Sequence, residues 1–142
     1  MLGVIMSIIS GAAMSIQGVF NTRLSDKTGL LESNFIVSVI ALILASFSLI
    51  WGKGSLGAAM SVNKLYLTGG VLSMVITITV MLSIGSLSPT VGISIILVSQ
   101  LLTAAIIDAF GLFDSEKVVF SLHKIIGLLV MLSGIIIFSF KK

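Results

Sequence analysis

The chain of 142 residues has no cysteine, one proline, one histidine and few charges, with eight Lys and Arg, five Asp and Glu, 9% in all. Each scarcity excludes something. Without cysteine there is no disulfide scaffold, no thiol nucleophile and no iron–sulfur or Cys-ligated zinc site. An ordinary soluble domain carries about 25% charged residues, far more than this chain offers as polar cover. With 57% hydrophobic residues and a mean hydropathy of +1.27, a soluble globular protein, a disordered chain and a collagen-like chain are all excluded. The pI near 9.5 does not signal nucleic acid, because the basic residues are scattered rather than gathered into a stripe. What remains is an all-α integral membrane protein whose first partner is the lipid bilayer.

A hydrocarbon core about 30 Å thick takes roughly 20 apolar residues of helix to cross. Met1 to Thr22 is uncharged and ends at Arg23; Ser33 to Gly52 lies uncharged between Glu32 and Lys53. Leu65 to Ile107 is an uncharged run of 43 residues, the length of two spans. Its interior holds Gly85-Ser-Leu-Ser-Pro89, with the only proline in the chain. Proline suits the first turn of a helix and disfavours helix before it, so a tight hairpin at residues 86–88 separates two spans. Ile125 to Phe140 is the last apolar run, extended by Val118 to His123. The sequence therefore predicts one transmembrane domain over residues 1–142, a compact bundle of five transmembrane helices near 2–22, 33–51, 65–85, 89–110 and 120–140.

The first span has no basic segment before it and is longer than a usual signal-peptide core, so it reads as a true span. The loops are short, leaving no room for a soluble enzymatic head, and no HExxH, nucleophile elbow or carboxylate pair occurs. The chain reads as no enzyme, with neither metal nor cofactor implied. The seven methionines lie in apolar runs, as core or lipid-facing filler.

An odd helix count puts the termini on opposite sides of the membrane. One side receives Lys53, Lys64, Lys117 and Lys124, the other Arg23, Lys27, Lys141 and Lys142. Orientation follows the Lys and Arg balance, and here it is four against four. Two readings stand: a few residues decide insertion, or the chain inserts both ways and pairs head to tail. An antiparallel homodimer supplies the inverted repeat that many transporters hold within one chain.

Gln17-Gly-Val-Phe-Asn21 ends the first helix, Gly69-Gly70 opens the third and Pro89-Thr-Val-Gly92 starts the fourth. Ser99-Gln100-Leu and Asp108-Ala-Phe-Gly111-Leu-Phe113 follow, and the fifth helix carries His123-Lys124 and Gly127. In this order the chain resembles the YdcZ-like five-helix family of the drug/metabolite transporter superfamily over nearly its whole length. That family usually carries His after the aspartate and Arg near Lys124, where this chain has Ala109 and Lys124. The resemblance implies a prokaryotic inner membrane and secondary transport of small molecules by paired helical repeats. Small multidrug resistance proteins, distant relatives, carry a glutamate within their first helix. This chain has Gln17 there and no carboxylate, which argues against a drug-cation antiporter.

A strongly polar side chain is costly in hydrocarbon and usually faces a bundle interior. Gln17 and Asn21 are four residues apart on the first helix, while Ser99, Gln100 and Thr103 make a polar sector near the middle of the fourth. These five residues read either as a hydrogen-bonding pocket for a solute or as clips between helices worth about 0.6 kcal/mol each. Asp108 is the only acid inside a predicted span and lies toward the same side as His123 and Lys124. It reads as an interfacial ion pair with Lys124, or as a proton-coupling carboxylate. Gly3, Ser7, Gly11 and Ser15 recur every four residues on the first helix, and Gly127 and Gly134 sit seven apart on the fifth. Both sets are close-packing signals, the second a candidate dimer seam.

Two functions fit. The first is a secondary transporter moving a small polar or amphiphilic solute by alternating access as a dimer, homodimeric or with a sister protein. The second is a non-transporting membrane scaffold or one half of a heterodimer. Orientation is open to measurement because the chain has no cysteine. With a single cysteine appended after Lys142, an impermeant maleimide should label about half of the molecules from outside sealed cells, and the rest only after permeabilisation. Labelling from one side alone would remove the antiparallel homodimer.

Overall fold

The computed structural model describes residues 1–118 and 121–140. It is helical throughout, with no strand among the described residues. The helices are α1 (Leu2–Thr28), α2 (Leu30–Ser48), α3 (Gly69–Ser86), α4 (Pro89–Phe110) and α5 (Leu122–Phe140). Short 3-10 turns cover Leu49–Trp51, Leu56–Met60, Lys64–Thr68 and Leu112–Asp114. The chain divides into two units, Met1–Ser86 and Leu87–Lys142. In the first, α1 packs against both α2 and α3, and α2 against α3; in the second, α4 packs against α5.

Four segments are long and apolar enough to cross a bilayer: Leu2–Thr28, Leu30–Trp51, Lys64–Ser86 and Pro89–Phe110. Leu122–Phe138 is a shorter apolar helix. At 1.5 Å per residue the 22 residues of α4 span about 33 Å, matching a hydrocarbon core of about 30 Å.

Helix ends follow local chemistry rather than charge. The sequence predicts a loop over 23–32, but α1 continues six residues past Thr22 and α2 begins at Leu30. Arg23, Asp26 and Lys27 end the apolar run without ending the helix, and the Arg23 guanidinium lies 3.7 Å from the Asp26 carboxylate one turn on. The break falls on one residue, Gly29, at φ 99° and ψ 157°, a region essentially reserved for glycine. Its N–H donates to the Ser25 carbonyl at 3.0 Å, closing α1, and its carbonyl accepts the Ser33 N–H at 3.0 Å, opening α2. A β-carbon there would strike the Glu32 carboxylate.

α3 ends at Ser86 and α4 begins at Pro89, so the chain leaves the helix at residues 87–88. Ser88 caps α4 by accepting the Val91 N–H at 3.4 Å, with Pro89 in the first turn. The third helix is preceded by a 3-10 turn rather than starting at residue 65, since the Asn63 side chain accepts the Leu65 N–H and winds Lys64–Thr68 tightly. Gly111 ends α4 in the left-handed conformation, its N–H returning to the Ile107 carbonyl. Phe113 and Asp114 also take positive φ, and the Val118 N–H comes back to the Asp108 carbonyl at 2.9 Å. The predicted start of the fifth helix, residue 120, lies outside the described residues; α5 is described from Leu122.

Gly29→Ala should therefore destabilise the first unit by about 1–3 kcal/mol, the cost of forcing a side chain into that backbone region. Unfolding of the purified protein in mixed micelles measures it. An unchanged midpoint would mean that the corner does not depend on glycine.

Candidate functional site

The distribution of buried residues is the reverse of that in a soluble domain. Large apolar side chains such as Ile8, Phe20, Phe35, Leu44, Leu72 and Ile106 point outward, and among the described residues only Met81, Ile84 and Val98 are buried large hydrophobics. Among the described residues the buried polar ones are Asn21, Thr22, Ser33 and Asn34. In hydrocarbon this arrangement is favourable, because an outward Leu costs nothing while an outward amide costs several kcal/mol.

All four polar residues belong to the first unit, where α1, the first turns of α2 and the last turns of α3 meet. Ser33 is fully buried; its hydroxyl lies 3.3 Å from the Asn21 carbonyl and 3.6 Å from the Met81 sulfur. Thr22 donates its hydroxyl to the Gly18 carbonyl at 2.8 Å, leaving its methyl toward Gly85. Asn34 is 7% exposed, and its Oδ1 is buried with no hydrogen-bond partner. An acceptor left unpaired in this way costs about 1–3 kcal/mol.

Gly18 permits this packing. A β-carbon there would lie 2.7 Å from Ile84 Cδ1 and 3.1 Å from Val80 Cγ1, so α1 and α3 approach closely at this residue. The predicted packing stripe of Gly3, Ser7, Gly11 and Ser15 lies on the same side of α1 as Gly18 and Thr22 but nearer the start of the helix, where no described neighbour closes on its glycines. The Ser7 and Ser15 hydroxyls fold back on the Gly3 and Gly11 carbonyls at 2.9 and 3.0 Å, and a β-carbon at Gly3 or Gly11 would touch nothing within 4 Å. Gly127 and Gly134 of α5 are open in the same way.

The five predicted solute residues fall into separate places. Asn21 is in the buried polar cluster, while Gln17, one turn earlier on α1, is exposed. On α4, Ser99, Gln100 and Thr103 are all exposed faces of the second unit, with the Thr103 hydroxyl donating to the Ser99 carbonyl at 2.8 Å. Asp108 is half-buried near the end of α4, and Lys124 is exposed in the first turn of α5. The α4–α5 pair also encloses an apolar groove of about 220 Å³ lined by Leu102, Ala105, Ile106, Ala109, Phe110 and Leu128.

A family model described as "Putative inner membrane exporter, YdcZ" matches residues 2–137. The chain belongs to this family. No curated protein and no solved structure matches it. As a YdcZ-family protein it is a multi-pass inner membrane protein and a membrane transporter, in a family of exporters rather than enzymes.

Sequence reasoning missed Thr22, Ser33, Asn34 and Gly18. The first three lie at the ends of the uncharged runs, where a polar residue reads as the start of a loop. One signal was available: Gly18 and Thr22 continue the small-residue side of α1 past Ser15, toward the conformationally special Gly29.

Proposed function

We propose that this YdcZ-family protein is a secondary transporter that moves a small polar or amphiphilic solute by alternating access, working as an antiparallel homodimer of five-span chains. The observation that carries the solute reading is the buried polar cluster with its unpaired Asn34 oxygen, set in a chain whose apolar side chains face outward. A polar solute supplies the missing donor. Gln17 and Asn21 on α1, and Ser99, Gln100 and Thr103 on α4, are the other solute-contacting groups; an exposed mid-helix Gln is costly in lipid and finds its partner in a solute or a second chain.

The fifth span is α5. Its 19 residues reach about 28 Å, and His123 and Lys124 at one end and Lys141 and Lys142 at the other suit the two headgroup layers. Both units form one transmembrane domain. The four-against-four charge balance supports two orientations, and five spans need a second, inverted chain to complete a symmetric pair. The open glycine face of α5, at Gly127 and Gly134, is the proposed seam between copies. Asp108 and Lys124 form an ion pair at the bilayer surface that ties α4 to α5.

A panel of small polar and amphiphilic solutes, screened by thermal unfolding of the purified assembly, tests this reading. A transported solute at a hundredfold excess over its dissociation constant should stabilise the wild type by about 2.7 kcal/mol. Gln100→Leu should keep the unliganded midpoint and lose that response. A stable assembly that no solute shifts would instead favour a scaffold.

A further inference from the structure

The connection between α2 and α3 is the longest in the chain and the least like a water-facing loop. From Leu49 to Thr68 it forms three 3-10 turns joined by short bends. Apolar side chains project along its whole length: Trp51 is 69% exposed, Leu56 74% and Met60 93%, with Val62, Leu65 and Leu67 also exposed. Such a run in water would be an apolar patch with nothing to cover it. Its only charges are Lys53 and Lys64, and no acidic residue occurs between Glu32 and Asp108.

The backbone fixes the depth at which this segment can lie. Some of its polar groups are paired locally: the Gly52 N–H to Leu49, Ala58 to Ser55, Ser61 to Ala58 and Tyr66 to Asn63. The breaks between the 3-10 turns, at residues 52–55 and 61–63, leave amides and carbonyls outside any helical ladder and needing water, so the hydrocarbon core is closed to the segment. The headgroup layer takes both the apolar side chains and the hydrated backbone. Trp51 and Tyr66 mark the two ends of the segment, the residue types that settle at that layer. Trp51 is held edge-to-face against Phe47, ring centroids 5.3 Å apart, at the end of a membrane-spanning segment.

We propose that residues 52–63 form an interfacial strap that lies on the bilayer surface, with Leu56, Met60 and Val62 dipped below the headgroups and Lys53 and Lys64, the first residue of the following span, on the phosphates of anionic phospholipids. The strap is continuous with the spans on both sides, so its docking sets the depth of α2 and α3 at that end. Its ligand is the anionic lipid surface itself, recognised by two cations flanking an apolar stretch.

The full chain carrying Met60→Cys, labelled with an environment-sensitive fluorophore, tests this after reconstitution into vesicles of phosphatidylglycerol and phosphatidylcholine. The expected result is strong quenching by a lipid nitroxide placed just below the headgroup and weak quenching by iodide supplied on both faces of the vesicle. Lys53→Gln and Lys64→Gln should each shift the docked-to-undocked ratio about fivefold toward water in the anionic vesicles, with no shift in pure phosphatidylcholine. Free access of iodide would overturn the strap. Protection from both quenchers would also overturn it, by showing that protein rather than lipid covers the segment. Equal docking in both vesicle types would overturn the anionic recognition.

Discussion

The structure depends on one constraint: its solvent is hydrocarbon. Every backbone amide within a span must be paired inside the chain, which leaves helices as the economical solution for four long apolar segments. The same constraint reverses the usual rule for side chains. Leu, Ile and Phe face outward at no cost, and the polar residues of the first unit gather where α1, α2 and α3 converge. Close approach of the helices is then set by small residues rather than by apolar burial, and Gly18 against Val80 and Ile84 is where this happens.

Four candidate spans were legible in the sequence because apolar length is a strong signal. The Ser88-Pro89 turn was legible for a different reason: proline lacks the N–H that a helix interior needs, so its position marks a first turn. The corner at Gly29 was not legible from charge. Arg23, Asp26 and Lys27 look like a loop when hydropathy is the guide, yet all three are compatible with helix, and the break belongs to the residue that alone tolerates φ 99°. The helix therefore extends beyond the apolar run, and a ten-residue loop shrinks to one residue.

The candidate site was only partly legible. Asn21 was found because an amide in an apolar run stands out. Ser33 and Asn34 were not, because they begin a run beside Glu32 and their burial depends on the one-residue corner that folds α2 back on α1. On α1 the close contact with α3 falls at Gly18 and Thr22, further along the same side of the helix than Gly3, Ser7, Gly11 and Ser15. Periodicity marks the small-residue side of a helix but does not say at which level along it a neighbour closes in, since that depends on where the adjoining helices lie.

Membership of the exporter family fixes the class of function, and the polar cluster gives that class a physical starting point. A buried acceptor without a donor is a cost to the empty protein and an attraction for a ligand that brings one. The most direct measurement replaces Asn34 with leucine, close in size and without the acceptor. Solute-dependent stabilisation and transport are then compared in the same reconstituted protein. The account predicts an assembly that is more stable by about 1–3 kcal/mol and no longer responds to solute. A variant that is less stable than the wild type, or one that still binds and moves the solute, would contradict it.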